Sequence, residues 1–367
     1  RVVDNQVVTQ KATEVFGSLV LIPNLVDAAL SSEGEGAGRL AELSNGTDVE
    51  SVTSSLNKIA LMGAAAGAQT IALNASNMLL QTLDEHGSKL AAYDHKEPGA
   101  DLWINIDGFF SKASDYSAGS TNYGYKSDLT GVPLGGDYAF GNGWAVGLAA
   151  SFGDGSLRGQ GNGSGIKNDV RYYGVNVYGV WSNEYFNTIG SMGYLQSKNK
   201  IKSQGFEGKP DTKTFALGVR FEKPLTLNES IAVTPHIGFR YKHVKTDSFN
   251  AGGFSYKYEK ANLFEVPFGV AFNGNLKASC GANIKPFVDL EISPNLGDRK
   301  VKNTVGLAGS GAFDSFDARI ANNAMYNGKI GVEASKDKHS FGLNYAIGGG
   351  DKGRVDQTLQ AKYRYQF

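Results

Sequence analysis

Residues 355–367 read VDQTLQAKYRYQF, and taken two at a time they separate into two rows. Leu359, Ala361, Tyr363, Tyr365 and Phe367 fall on one side; Gln360, Lys362, Arg364 and Gln366 fall on the other. Successive side chains of a β-strand point to opposite faces, so this is strand periodicity. One face is apolar and ends in a row of aromatics, while the other carries two full charges. The same alternation recurs upstream. Phe215, Leu217, Val219 and Phe221 alternate with Thr214, Ala216, Gly218, Arg220 and Glu222, and Val233, Ile237, Phe239 and Tyr241 with His236, Gly238, Arg240 and Lys242. Phe264, Val266, Phe268, Val270 and Phe272 alternate with Glu265, Gly269 and Ala271, and Ile284, Val288, Leu290 and Ile292 with Lys285, Asp289 and Glu291.

Counting such runs from Asp101 onward predicts twelve strands, near 101–112, 127–140, 144–153, 168–181, 185–196, 212–223, 231–244, 261–272, 284–293, 325–335, 340–348 and 355–367. Each is close to or somewhat above the roughly 9 to 11 residues that a tilted membrane strand needs. The polar faces mix glycine and alanine with charges of both signs, as a lumen holding ion pairs and a guest would. A charge on the lipid face costs roughly 2–4 kcal/mol at the midplane, and the central apolar faces carry none. Tight connections at 140–144, 182–184 and 336–338 alternate with long loops expected at 113–126, 154–167, 197–211, 245–260 and 294–324. Two short-side connections, PLTLNES at 224–230 and NGNLKASCGAN at 273–283, are looser. Tyr138, Phe140, Trp144, Trp181, Tyr185, Tyr363, Tyr365 and Phe367 gather near the tight-turn rim, as an interfacial aromatic belt would. The fold class predicted is an all-β membrane protein, a twelve-stranded antiparallel transmembrane β-barrel over residues 100–367; a soluble β-sandwich is the competing reading.

Composition narrows the function. Lysine plus arginine equals aspartate plus glutamate at 36 each, so no net field points to nucleic acid. No run approaches the roughly 18–20 apolar residues of a membrane helix, which leaves a barrel open because its strands alternate. Glycine (48) and tyrosine with phenylalanine (17 and 20) are frequent and proline (9) is scarce, which suits a long β-rich chain. The single Cys280 rules out an internal disulfide. His86, His95, His236, His243 and His339 are scattered without HExxH or a Cys/His cluster, so no metal or cofactor site is expected. GQGNGSG at 159–165 precedes a strand rather than a helix, which excludes a phosphate-binding loop. His243 near Asp247 is the one pair that an enzyme site at the barrel rim would use.

The first hundred residues have a helical texture. Residues 9–31 read as a helix with Val15, Leu19, Ile22 and Val26 on one side, kinked or broken at Pro23. A glycine-rich patch at 34–38 and a short helical turn at 39–43 follow. Thr47 with Glu50 reads as a capping box, and Val52, Leu56 and Ile59 as the stripe of the next helix. Residues 62–86, MGAAAGAQTIALNASNMLLQTLDEH, are slim in their first half. As a helix they would run about 37 Å, enough to cross a bilayer core of about 30 Å. Gly67, Gln69, Asn74, Asn77 and Gln81 make them too polar for lipid, but a water-lined tube would accept them as a lumen-plugging α-helix. A solvent-exposed helix is the alternative. Residues 87–99, with Pro98, read as a hinge into the first strand. The division expected is 1–61, a helical linker; 62–99, pore helix and hinge; and 100–367, the barrel.

DLWINIDG at 101–108, GVPLGGDYAFGNGWAVGLAASFGDG at 131–155, PFVDLEISPNLGD at 286–298 and the ending KYRYQF together resemble the translocator domain of monomeric (type V) autotransporters of Gram-negative outer membranes. The resemblance implies a non-enzymatic secretion unit in the outer membrane. It would be inserted among outer-membrane lipids by the barrel assembly machinery and would export its own passenger polypeptide to the cell surface. It implies that Arg220, Arg240, Glu265, Lys285, Asp289, Glu291, Lys329 and Glu333 line the pore around the helix. Tyr363, Tyr365 and Phe367 would be the C-terminal assembly signal. Nothing like a signal peptide follows Arg1, so the chain is expected to be the back end of a longer polypeptide, with 1–46 a linker or passenger stump. Some members cut the passenger inside the barrel at paired asparagines; Asn74 and Asn77 lie in that zone but are not such a pair, and no self-cleavage is expected. An outer-membrane barrel enzyme of protease or lipase type, with its active site at the rim, is the alternative. A passive porin is disfavoured by the helix.

Overall fold

The computed structural model describes residues 2–3, 6–7, 12–92 and 97–367. The start of the expected first helix (9–11) and part of the expected hinge (93–96, with His95) lie outside the described residues. Among the described residues twelve strands follow one another around a cylinder. They are β1 Gly99–Ala118, β2 Thr121–Ala139, β3 Trp144–Gly161, β4 Lys167–Ser182, β5 Asn187–Ser203 and β6 Asp211–Glu222. Then come β7 Ile231–Thr246, β8 Ala261–Glu265 continued by Phe268–Gly274, β9 Asn283–Gly297, β10 Ala324–Lys336, β11 His339–Gly350 and β12 Val355–Gln366. Each pairs antiparallel with its sequence neighbours, and β12 closes on β1 with Gln360 opposite Asp107 and Arg364 opposite Trp103. β8 is interrupted at Val266 and Pro267 because proline has no N–H to give the ladder. The register is kept across the gap, with Arg240 opposite Glu265 and Ile237 opposite Phe268.

The apolar rows face outward: Leu148, Val175, Ile330 and Phe341 are all exposed on the outer wall. At the tight-turn rim Trp144 and Trp181 stack with ring centroids 5.9 Å apart.

The expected long loops are mostly strand. β1 and β2 continue to a turn at Gly119, whose φ of +55° only glycine takes readily. Residues 197–211, 245–260 and 294–324 likewise hold paired segments, among them Phe206–Gly208, Phe254–Tyr258, Lys300–Leu307 and Phe313–Arg319. At about 3.3 Å per residue β1 runs about 66 Å, far beyond what an apolar band about 25 Å tall requires. The barrel wall therefore continues past the membrane as a collar on the side opposite the tight turns.

Among the described residues five α-helices precede the barrel: α1 Ala12–Phe16, α2 Pro23–Ala29, α3 Glu35–Ser44, α4 Val49–Ala64 and α5 Ala68–Ala92. The first expected helix breaks ahead of Pro23, at Gly17 with φ +60°, and Pro23 opens α2 at a position where its missing N–H costs nothing. The expected Thr47 cap sits one residue away from the real one. Asp48 is the N-cap, accepting from the N–H groups of Glu50 and Ser51. Hydrogen bonds from the Ser51 hydroxyl and the Glu50 N–H hold the Asp48 carboxyl below the usual carboxylate range. The expected helix over 62–86 divides: Met62–Gly63–Ala64 ends α4, Gly67 turns the chain at φ +61°, and α5 runs on past His86 to Ala92.

α1–α4 sit inside the collar. Phe16, Leu25, Leu40, Leu56 and Ile59 share one core with Tyr116, Tyr125, Leu157, Phe254 and Leu307 of the wall. Asp314 accepts from the backbone N–H groups of Asn24 (3.2 Å) and Leu25 (3.0 Å), satisfying donors that the first turn of α2 leaves unpaired. A second cluster, Leu79, Leu83 and Leu90 with Trp103, Tyr178, Val180 and Ile189, packs the far end of α5 near the tight-turn rim.

Candidate functional site: the occupied lumen

α5 fits the bore because it is narrow where the wall is close. A Cβ on Gly67 would lie 2.4 Å from a Leu157 methyl, and one on Gly87 2.6 Å from an Ile189 methyl. Ala68, Ala72 and Ala75 are fully or nearly buried.

From the collar downward, nearly every turn of the helix is tied to the wall by a polar contact. The Asn168 amide donates to the Ala66 carbonyl at 3.1 Å, and Thr70 Oγ1 to the Ile320 carbonyl at 2.9 Å. Arg354 donates to Asn74 Oδ1 at 2.7 Å while holding Asp356 at 3.0 Å. Asn77 accepts from Lys242 and donates to Glu265 at 3.4 Å, and Lys242 also donates to Glu265 at 2.7 Å. Arg240 reaches Asp84 at 2.9 Å. Glu85 sits between the ammonium groups of Lys329 and Lys362, contacting both. His86 donates to Asp137, 2.6 Å away, which also accepts from the Tyr178 hydroxyl at 2.6 Å. Ser88 donates to Glu222 at 2.7 Å, and Lys89 pairs with Glu333. In so dry a space an ion pair is far stronger than at a surface, and stranding one partner is correspondingly costly.

The eight wall residues expected to line the pore occupy inward positions on β6 to β10. Arg220 pairs with Glu222 at 3.2 Å, Asp289 accepts from His236 at 2.7 Å, and Glu291 lies 4.0 Å from the other His236 nitrogen. Lys285 stands opposite Glu333 in the ladder, toward the tight-turn end. Of the expected helix residues, Gly67 forms the α4–α5 break, Gln69 is buried with its amide nitrogen unpartnered, and Gln81 lines a hollow with Asn74 and Asn77. Tyr363, Tyr365 and Phe367 form an outer row at the tight-turn end, with Tyr365 and Phe367 rings 5.0 Å apart and the Phe367 N–H donating to the Ala100 carbonyl at 2.9 Å. His243 and Asp247 do not assemble: His243 hydrogen-bonds Asn262 at 2.7 Å from the outer side of β7. His86, Asp101 and Asp137 offer ligand atoms within 4.8 Å of one another, but Asp137 is already engaged twice and Asp101 faces Arg364 at 4.0 Å.

Asp84, Glu85, Ser88 and Lys89 carry as many contacts as the residues singled out from the sequence. They continue the series Thr70, Asn74, Asn77, Gln81 at steps of three or four, the spacing of one helix face. Reading DEH at 84–86 as a helix end hid that continuation. Lys242 and Lys362 were legible as inward residues, standing beside Arg240 and Arg364 on the polar faces of β7 and β12, whereas Arg354 lies just ahead of β12, where strand parity does not place it.

The family model described as autotransporter beta-domain matches residues 102–346. Outer membrane protein A of Rickettsia conorii is 25% identical over 273 residues, covering 66% of this chain and 13% of that protein. The protein of the same name from Rickettsia rickettsii is 24% identical over 282 residues, covering 66% of this chain and 12% of that one. The chain thus spans only about an eighth of the curated relatives it matches. Among solved structures, the NalP translocator domain of Neisseria meningitidis superposes with a TM-score of 0.62 at 14% identity, covering 83% of this chain and all of that one. The AIDA-I transport unit of Escherichia coli gives 0.59 at 16% identity, covering 73% and 90%. The closed barrel with a helix inside is shared with these structures, and the matched sequence covers most of the cylinder. The chain belongs to the autotransporter β-domain family and is an outer-membrane translocator unit of that family.

Proposed function

We propose that this barrel carries its own N-terminal passenger across the outer membrane and keeps α5 in the lumen afterwards as a plug. The observation that carries the reading is the path of the chain: α4 lies in the collar, α5 runs the length of the bore, and β1 starts at the tight-turn rim. Polypeptide upstream of α4 is thereby delivered on the collar side, which this reading makes the cell surface. The polar stripe on α5 and the inward residues of β6 to β12 act as its seat. The barrel acts without catalysis, and export draws on passenger folding and on the barrel assembly machinery rather than on a nucleotide. The outward aromatic row ending at Phe367 is what that machinery reads, and the apolar outer wall meets outer-membrane lipid. Residues 1–61 connect seat and passenger.

A reporter domain fused ahead of Arg1, behind a secretory leader, tests this in whole cells. The expected result is removal of the reporter by external protease while the barrel stays intact and heat-modifiable. A reporter protected in the periplasm beside a correctly folded barrel overturns the reading.

A further inference from the structure

We propose that the collar side of β4 to β7 carries, on its outer face, a seat for a lipid headgroup with two phosphates, that of a bisphosphorylated glycolipid in the surrounding leaflet. This rests on the barrel spanning the outer membrane and not on passenger export. The chain as a whole is neutral, but its outer wall is not evenly charged. On β4, β5, β6 and β7 the outward apolar row ends in an aromatic: Tyr173, Tyr194, Phe215 and Tyr241. Aromatics at such a boundary mark the level where acyl chains give way to headgroups. Within the next four residues along each strand, still on the outer face, stand Arg171, Lys198, Lys213 and Lys245, all exposed. At the corresponding step β8 to β12 present Asn262, Leu296, Ala324, Gly349 and Val355, none of them charged.

The four cations form two cross-strand pairs. Arg171 faces Lys198 directly across the β4–β5 ladder, and Lys213 faces Lys245 across β6–β7. Like charges placed opposite each other weaken strand pairing, so each pair calls for an anion to bridge it. The wall does not supply one. Asp169 holds Lys167 at 3.3 Å, Glu207 holds Lys209 at 3.1 Å and Lys200 at 3.7 Å, and Asp211 accepts from the Gln196 amide at 2.9 Å. Asp154 and Asp211 stand across the ladder from Arg171 and Lys198 without closing an ion pair. Among the described residues none of the four cations has a carboxylate oxygen within 4.0 Å. The outward residues of β4 to β6 above the aromatics are Lys167, Arg171, Lys198, Lys200, Lys202 and Lys213 against Asp169 and Asp211, six cations to two anions. Lys213 lies opposite Gln196, so the two pairs are two strands apart and two residues out of step. At about 4.8 Å between strands and about 3.4 Å per residue, their centres lie roughly 12 Å apart. A headgroup with one phosphate fills one pair; a disaccharide with a phosphate at each end fills both.

The full chain in detergent micelles, titrated with purified lipopolysaccharide in the presence of EDTA, tests the proposal. The wild-type protein is expected to keep the lipid bound through gel filtration, because its own cations replace the divalent ions that otherwise bridge the phosphates. Replacing all four cations (Arg171→Gln, Lys198→Gln, Lys213→Gln and Lys245→Gln) should weaken binding on the order of 10²-fold or more, each basic group near an anionic headgroup being worth about fivefold. Lys300→Gln with Lys302→Gln, elsewhere on the collar, should leave the affinity unchanged. Lipopolysaccharide stripped of its phosphates should bind the wild type as weakly as the quadruple variant binds the intact lipid. That arm reads the same contact if the variant does not fold, as judged by heat-modifiability. Phosphatidylglycerol, with one phosphate, should compete roughly tenfold less well or worse, and millimolar pyrophosphate should not displace the lipid. Each of the following overturns the proposal: loss of the lipid from wild type in EDTA, wild-type affinity in the folded quadruple variant, or an equal loss in the Lys300 and Lys302 variant. So does undiminished binding of the stripped lipid, equal competition by phosphatidylglycerol, or displacement by pyrophosphate, which would make this a site for a soluble anion. No passenger is needed, so failure here is distinct from failure of the export reading.

Discussion

Glu85→Gln is the most informative single change to the seat of the helix. In the closed state Glu85 is the carboxylate between two buried ammonium groups, those of Lys329 and Lys362. A glutamine keeps the shape and removes the charge, leaving both lysines in a dry space without their counter-ion. Breaking a buried pair from one side costs about 3–5 kcal/mol. When α5 leaves the bore the lysines regain water, so the cost falls on the closed state alone. At 1.4 kcal/mol per factor of ten, the closed-to-open ratio should fall by about 10² to 10⁴. Amide hydrogen exchange of α5 peptides in detergent micelles reads this ratio directly, because exchange of a buried helix reports its opening equilibrium. Exchange over 79–92 should accelerate by that factor, and protection should return when Lys329→Met and Lys362→Met are added, since an apolar replacement of the whole cluster strands nothing. Wild-type exchange in the single variant would refute the idea that this cluster holds the helix.

Three further outcomes are expected. Deleting residues 62–86 should raise single-channel conductance several-fold or more, and an unchanged conductance would mean that α5 does not obstruct the bore. Removing Phe367 should sharply lower the amount of heat-modifiable barrel in outer membranes; wild-type levels would contradict a role for that ring in assembly. Gly67→Ala forces a left-handed residue to carry a side chain within 2.4 Å of Leu157. It should cost about 1–3 kcal/mol, seen as a lower midpoint for loss of heat-modifiable migration, and an unshifted midpoint would show that the α4–α5 break tolerates another geometry.

The membrane strands were legible because lipid imposes a strict rule on their outer face: Leu134 and Tyr138 on β2, and Val146, Leu148 and Phe152 on β3, point outward in period two. Above the membrane the rule reverses. Tyr123, Tyr125 and Leu129 on β2 and Leu157 on β3 put their apolar groups inward, onto α1–α4. The apolar parity changes within one strand, so segments such as 113–126 lost their alternation and read as loops. The slim helix was legible from its small residues. Its last turns, 87–92, were not, because Gly87 just after His86 reads as the glycine that ends a helix. The helix start expected at Thr47 falls one residue later, at Asp48, because neighbouring polar side chains compete for the same capping role.

The core shared by α1–α4 and the collar has a directional consequence. Leu25, Leu40, Leu56 and Phe16 find apolar partners only among side chains that project beyond the bilayer, such as Tyr116, Phe254 and Leu307. Inside the charged bore the same residues would meet Lys242, Glu265 and Arg354 instead. Drawing the polypeptide back by one helix would wet several large side chains at about 1.5–3 kcal/mol apiece. If the chain is exported as proposed, the collar would act as a pawl: once the helices have dropped into place, reversal would be uphill at every notch.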